Sequence, residues 1–236
     1  MVLNHCIRVI PAGRGVPIPK PSPAVSRRDW YNKFMTLPPI LATLTAGFTP
    51  TGQIDRDVPR FLEGHIYPGT ARHCAAVAEE AARLAGHFNL DPLAAATAGW
   101  LHDVSAVIGT DWLGAAAELQ VEVLPAELVY PNLLHQKISA VMARQIFGVT
   151  DPAVLSAIGC HTTLRPAASR LDMLVFVADK LRWDQPGQPP YAAEMSAALQ
   201  GSLERAAWVY LDYLWQRRAE LVILHPWAEA AWRALK

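Results

Sequence analysis

The stretch Asp91-Pro92-Leu93-Ala94-Ala95-Ala96-Thr97-Ala98-Gly99-Trp100-Leu101-His102-Asp103 decides the fold class. An acid before a proline is a helix start: the carboxylate caps an orphan amide, and proline is tolerated in the first turn. Alanine and leucine then propagate the helix. It closes on His102 and Asp103. The same punctuation recurs at Asp151-Pro152, and Pro131 should open a helix that runs to about Phe147 before Gly148. Upstream, Thr70 precedes a run to about Phe88 in which His73, Val77, Ala81, Leu84 and Phe88 share one face. Downstream, a helix is expected over 168–182, halted by Gln185-Pro186-Gly187 and Pro189-Pro190. Residues 191–218 read as one long helix, and Pro226 begins a short last one. No alternating run of strand length stands out. The expected fold is all-α, a bundle of helices in one domain.

Composition agrees with this and excludes several functions. The chain has 236 residues, 52% of them hydrophobic and 18% charged, enough to bury a core without staples. Lys+Arg is 21 and Asp+Glu is 21, a balance that argues against coating nucleic acid, where affinity scales with neutralised phosphates. Cys6, Cys74 and Cys160 form no C-x-x-C pair, so no disulfide framework or zinc ribbon is encoded, and a reducing cytoplasm is expected. No apolar run approaches the ~18 residues of a membrane span, and the N-terminus lacks the apolar block of a signal peptide. Residues 1–28, with Pro11, Pro17, Pro19, Pro21 and Pro23, are expected to form a flexible arm, and 29–236 a single domain.

The chemistry is carried by polar residues on apolar stripes. His73, His135 and His161 each fall on such a stripe, His102-Asp103 ends one, and Asp179 lies four and eight residues past Val175 and Leu171. A single histidine so placed is ordinarily a packed core residue. An aspartate is harder to dismiss, because an unpaired buried carboxylate costs several kcal/mol. It must pair, cap a helix or bind metal. Four histidines and two acids on five helices fit poorly with coincidence. Imidazole and carboxylate suit borderline divalent metals such as zinc, iron and manganese, and helix bundles build metal sites from inward-facing side chains.

In order, His73, His102-Asp103, His135, His161 and Asp179 resemble the HD-domain phosphohydrolase superfamily, named for the adjacent His-Asp pair. More narrowly, the chain resembles the YqeK family of symmetrical diadenosine tetraphosphate hydrolases. The phrases that carry the likeness are Thr70-Ala71-Arg72-His73, Ala98-Gly99-Trp100-Leu101-His102-Asp103, Leu133-Leu134-His135, Ala157-Ile158-Gly159-Cys160-His161-Thr162-Thr163 and Phe176-Val177-Ala178-Asp179. The resemblance implies an HD-domain helical bundle with two divalent metal ions, iron in the best-known relatives, manganese or zinc as alternatives. It places His73, His102, Asp103 and Asp179 on one metal and His135 and His161 on the other, with Asp103 bridging and His102 and Asp103 as the catalytic pair. Two such cations can acidify a water and stabilise both oxygens of a phosphoryl displacement.

The neighbours of these residues depart from the family. Ala106 stands where relatives commonly carry lysine, Gln136 and Leu164 where they carry glycine, and Lys180-Leu181-Arg182-Trp183-Asp184 where they tend toward a Pro-x-Arg phrase. The candidate substrate contacts are Arg72, Lys137, Thr162, Thr163, Arg165, Lys180 and also Arg182. Arg165 is the foremost of them, because a guanidinium fork beside two hydroxyls suits phosphate oxygens. Trp208, Tyr210, Tyr213 and Trp215 are expected to pack the core or a homodimer face, with stacking on adenine as the alternative. The leading expectation is a metal-dependent phosphohydrolase of a divergent branch acting on a nucleotide, with diadenosine tetraphosphate to two ADP as the first candidate. That substrate is expected to be turned over less well than a smaller or less charged phosphate ester, because Ala106 replaces lysine. The alternatives are a phosphatase for another small phosphorylated metabolite and a non-catalytic metal- or nucleotide-binding protein. No membrane or nucleic-acid partner is expected.

Overall fold

Asp91 does cap its helix: the carboxylate accepts a hydrogen bond from the Leu93 amide at 2.8 Å. Asp151 does the same for Ala153, also at 2.8 Å. This is a computed structural model that describes residues 37–183 and 187–236. The arm expected over residues 1–28 lies outside the described residues, as does Cys6.

The described chain is helical and has no strand. Its helices are α1 (Pro39–Leu44), α2 (Ile54–Gly64), α3 (Pro68–His87), α4 (Pro92–Leu101), α5 (Trp112–Glu118) and α6 (Pro125–Val129). Then follow α7 (His135–Gln145), α8 (Pro152–Gly159), α9 (Arg170–Leu181), α10 (Ala192–Ala198), α11 (Leu203–Gln216) and α12 (Pro226–Leu235). Tighter 3₁₀ turns occupy Val104–Ile108 and Pro131–Leu134. Two expected helices differ. The one from Pro131 is a 3₁₀ turn followed by α7. The long helix over 191–218 is broken in two, because Ser202 accepts from the Arg205 amide at 3.0 Å and starts α11 afresh after Gly201.

Helix α9 is the centre of the bundle. Leu171 through Ala178 are all buried, so the helix is covered on every side, by α3, α4, α8 and α11. Ser169 opens it with a reciprocal cap: its hydroxyl accepts from the Asp172 amide at 3.1 Å, and Asp172 accepts from the Ser169 amide at 2.9 Å. Helices α3 and α4 meet backbone to backbone. A Cβ at Gly99 would lie 2.6 Å from the Ala78 Cα, so no larger residue permits this approach. The close crossing brings the end of α4, with His102, beside His73 of α3. Among the described residues no helix is long and apolar enough to cross a membrane.

Candidate metal centre

Three histidines are oriented by one local device. Nδ1–H of His102 donates to the Gly99 carbonyl at 2.8 Å, that of His135 to Asn132 at 2.6 Å, and that of His161 to Ile158 at 2.9 Å. Each acceptor lies three residues back, at the edge of a helix where carbonyls and rings can meet. A carbonyl only accepts, so each Nδ1 carries the proton, and Nε2 of a neutral ring is a bare lone pair. Neutrality is enforced by burial, which pushes His102 down to about 4 against the opposing pull of Asp103. Burial likewise lowers His135.

These lone pairs converge. Nε2 of His135 and His161 stand 3.1 Å apart, and Nε2 of His102 and His73 3.2 Å apart. Two imidazole lone pairs face each other at that range only with a cation or proton between them, so the donor set fits a metal. Asp103 joins the two pairs. One carboxylate oxygen lies 3.6 Å from His102 Nε2, and the other lies 3.4 Å from both His135 and His161. Asp179, at the end of α9, reaches His73 Nε2 at 3.1 Å and His102 Nε2 at 3.7 Å. All six residues expected as ligands therefore meet in one place, in overlapping groups that could hold metal ions.

The charge state suits that role. Burial would raise the Asp103 carboxyl, but His102, His161 and His135 around it win and hold it well below the ordinary range. Asp179 is likewise raised by burial and lowered further by Lys180 and His73. Burial pulls Lys180 down, yet Asp179 beside it raises the ammonium overall. Carboxylates ionised and imidazoles neutral are the forms a metal requires. The centre opens into a cleft whose outer wall is Lys180, Arg182, Trp183, Tyr191 and Tyr210.

A model of the HD domain matches residues 70–184. The stretch matched contains all six converging residues. Over that stretch the chain resembles the HD-domain superfamily. It is 39% identical over 131 residues to an uncharacterized protein in the pepC 5′ region of Lactococcus lactis, covering 55% of this chain and 66% of that one. A symmetrical bis(5′-nucleosyl)-tetraphosphatase of Halalkalibacterium halodurans is 25% identical over 146 residues, 61% of this chain and 78% of that protein. Among solved structures, a predicted HD superfamily hydrolase involved in NAD metabolism from Clostridium acetobutylicum aligns with a TM-score of 0.69 at 25% identity. That alignment covers 75% of this chain and 94% of the other.

Around the HD motif, the expected substrate contacts scatter. Thr162 and Lys180 line the cleft, and Arg72 lines an adjoining hollow. Thr162 also places its hydroxyl 2.8 Å from His135 Nε2. Arg165 does not line the cleft: it bonds Ser156 at 2.5 Å and lies 3.4 Å from Asp172. Lys137 is tied to Glu127 at 2.8 Å and to the Glu122 carbonyl at 2.9 Å. The reason is the same in both cases. Asp172 and Glu127 are fully buried, and a buried carboxylate claims the nearest cation. Thr163 is buried and points its hydroxyl to the Leu164 carbonyl at 2.8 Å.

Two departures from the family pattern acquire a structural account. Gln136 Oε1 accepts from the Thr162 and Thr163 amides at 3.1 and 3.3 Å, and its Nε2 donates to the Thr163 hydroxyl at 3.1 Å. The fully buried side chain thus holds the turn that presents His161. Leu164 adopts φ +55°, the left-handed region a glycine would enter freely, yet its side chain is fully buried. Ser105 adds a further support: its hydroxyl donates to the His135 carbonyl at 2.9 Å and receives one from Ser139 at 2.9 Å. Cys74 and Cys160, adjacent in sequence to His73 and His161, are buried free thiols. Sequence reasoning had no sign for Trp183 or Tyr191 in the cleft, and Tyr210 faces it as well as the core.

Proposed function

We propose that this protein is a metal-dependent phosphohydrolase that cleaves a nucleotide, with symmetrical splitting of diadenosine tetraphosphate into two ADP as its reaction. The observation that carries this reading is the placement of Asp103, one carboxylate oxygen toward His102 and the other toward His135 and His161. His73, His102, Asp103 and Asp179 would hold one divalent ion, and His135 and His161, with Asp103 shared, a second. Iron is the first candidate, with manganese and zinc next. Such ions supply charge neutralisation and an acidified water.

The chain's own residues do the rest. The backbone carbonyls behind His102, His135 and His161 keep the three rings aimed without reorganisation, so the site is set before substrate arrives. Lys180, its Nζ also within 3.2 Å of the His161 carbonyl, keeps Asp179 ionised and brings positive charge to the cleft wall. That charge stands in for the lysine that relatives carry at the position of Ala106. Phosphoryl transfer asks mainly for positioning and charge neutralisation, which this wall provides. The nucleotide reading draws on the tetraphosphatase similar to this chain.

The deciding experiment incubates iron- or manganese-loaded protein with diadenosine tetraphosphate and separates the products. ADP alone is expected. ATP plus AMP would refute symmetrical cleavage, and no turnover of any phosphate ester would refute the hydrolase reading.

A further inference from the structure

Two hollows meet at Arg182 and Trp183. One is the cleft of the metal centre. The other runs along α3 past Gly69, Arg72 and Ala76 and shares His73, Arg182 and Trp183 with the first. Metal chemistry needs only the phosphorus atom and its oxygens. The second hollow is therefore surplus to the centre, and its lining is of a different kind: two guanidinium groups and an indole.

Arg182 is incompletely satisfied. One terminal nitrogen bonds Glu80 at 2.9 Å, while its Nε is buried with no hydrogen-bond partner among the described residues. A buried N–H without an acceptor is costly, and turning the guanidinium into the hollow toward a ligand oxygen would relieve it. Glu80 does not depend on Arg182, because Arg83 engages both of its oxygens. Arg182 can therefore turn to a ligand without orphaning a carboxylate. Trp183 is 40% exposed, unusual for an indole, and stands nearly perpendicular to the Tyr191 ring at 6.4 Å between centroids. An exposed aromatic flanked by cations is how proteins take a base and its phosphates together.

We propose that Arg182, Trp183 and Arg72 form a distal subsite for the part of the substrate beyond the scissile phosphate, the guanidinium groups taking a further phosphate and the indole a nucleobase. This rests on the nucleotide reading above and deepens it. The subsite makes the protein prefer a dinucleoside polyphosphate over a mononucleotide, because only the longer ligand spans both hollows. It also explains what the Arg182-Trp183 dipeptide does at a place where the family pattern differs.

Calorimetric binding of two ligands to the metal-loaded full chain tests it: ADP, and a diadenosine tetraphosphate analogue with a methylene bridge that resists hydrolysis. Wild type should bind the analogue more tightly. In Arg182→Ala and Trp183→Ala that preference should shrink at least tenfold, and Trp183→Phe should keep most of it. Trp183 is at the surface, so its variants remain informative should Arg182→Ala unfold. A preference unchanged within twofold, or an equal loss for both ligands, overturns the subsite. Turnover of diadenosine tetraphosphate with an unchanged preference would remove the subsite and leave the proposed reaction standing. Binding that depends on Arg182 and Trp183 without any turnover would do the reverse. A wild type that binds neither ligand defeats both.

Discussion

Among the described residues two buried clusters contain histidine and acid, and in only one do the donor atoms converge as metal ligands would. In the HD centre, Nδ1 of His102, His135 and His161 donates to a carbonyl, which leaves Nε2 bare and convergent. In the other cluster, His225 Nδ1 accepts from the Trp227 amide at 3.2 Å, so the hydrogen sits on Nε2 and faces Glu127 at 3.4 Å. Glu127 also accepts from Lys137 and from the Leu124 amide, at 2.8 and 2.7 Å. That knot has an imidazole hydrogen for a carboxylate and an ammonium beside it. It ties α12 to α6 and α7, with the contact of His225 Nε2 to Glu127 Oε1 falling short of a hydrogen bond. The tautomer separates the two, because the same residue types with the proton on the other nitrogen change from ligand to clasp.

The sharpest way to break this contrast is to remove the shared acid. Asp103→Ala should lower turnover by about 10³-fold or more, since preorganised charge at the reacting centre is worth roughly 10²–10³ per group and this one serves both ligand groups. Metal content should fall in parallel by elemental analysis, while Arg165→Ala should leave metal content intact. An Asp103→Ala protein that kept both metals and half its rate would place the chemistry elsewhere.

Next in size is the clasp. Glu127→Gln keeps a side-chain oxygen for the Leu124 amide but leaves Lys137 without its counter-ion. Breaking a buried pair on one side costs about 3–5 kcal/mol, and Lys137 is 11% exposed, so about 3 kcal/mol is expected. Chemical denaturation should show that loss with metal content unchanged. A loss of metal in this variant would mean that the two clusters are not separate in function.

Protons distinguish the clusters as well. His102 is held near 4 against an ordinary value of 6.5, so the unfolded chain takes up its proton first as pH falls. Its contribution is complete above pH 6.5 and is lost between 6.5 and 4, about 3 kcal/mol in all at 1.36 kcal/mol per unit. Asp103 and Asp179 are depressed instead, so their contribution disappears only as pH falls below the ordinary carboxylate range. Urea titrations of metal-stripped protein at pH 7 and pH 4.5 should differ by about 2–3 kcal/mol. A flat profile would mean that His102 is not buried neutral.

That these six residues meet was legible because each is placed by its own neighbourhood. His102 needs only Gly99 three residues earlier and a helix end, and Asp179 needs only the stripe of α9. The all-α fold was legible for the same reason, through Asp91, Asp151 and Pro226. The cleft wall was not. Arg165 went to Asp172 and Lys137 to Glu127 because those acids are buried, which no local pattern reveals. Tyr210 meets Tyr191 and Lys180 only because α11 packs on α9, and the sequence reads as continuous helix through the break at Ser202 that starts α11. Leu164 shows the limit of pattern in another way. A left-handed leucine costs about 1–2 kcal/mol of backbone strain, but burying its side chain recovers about as much or more.

The smallest expected effect concerns the support of His161. In Gln136→Met the side chain keeps its length and loses its polar atoms, so packing is spared and the three hydrogen bonds to Thr162 and Thr163 are removed. Two buried amides are left without acceptors, a cost of about 1–3 kcal/mol each if nothing else reaches them. The turn can relax, so the lower end is expected, about 1–2 kcal/mol by thermal or urea denaturation. The informative measurement is metal affinity. Groups that orient a metal ligand are worth about 10–100-fold in affinity, and Gln136 acts on the His161 side alone. Of two metal equivalents, one should weaken about tenfold while the one expected at His73, His102 and Asp179 keeps its affinity. Equal weakening of both would show that Gln136 stabilises the bundle in general. Unchanged affinity for both would show that the Nδ1 bond from His161 to Ile158 is enough to hold the ring.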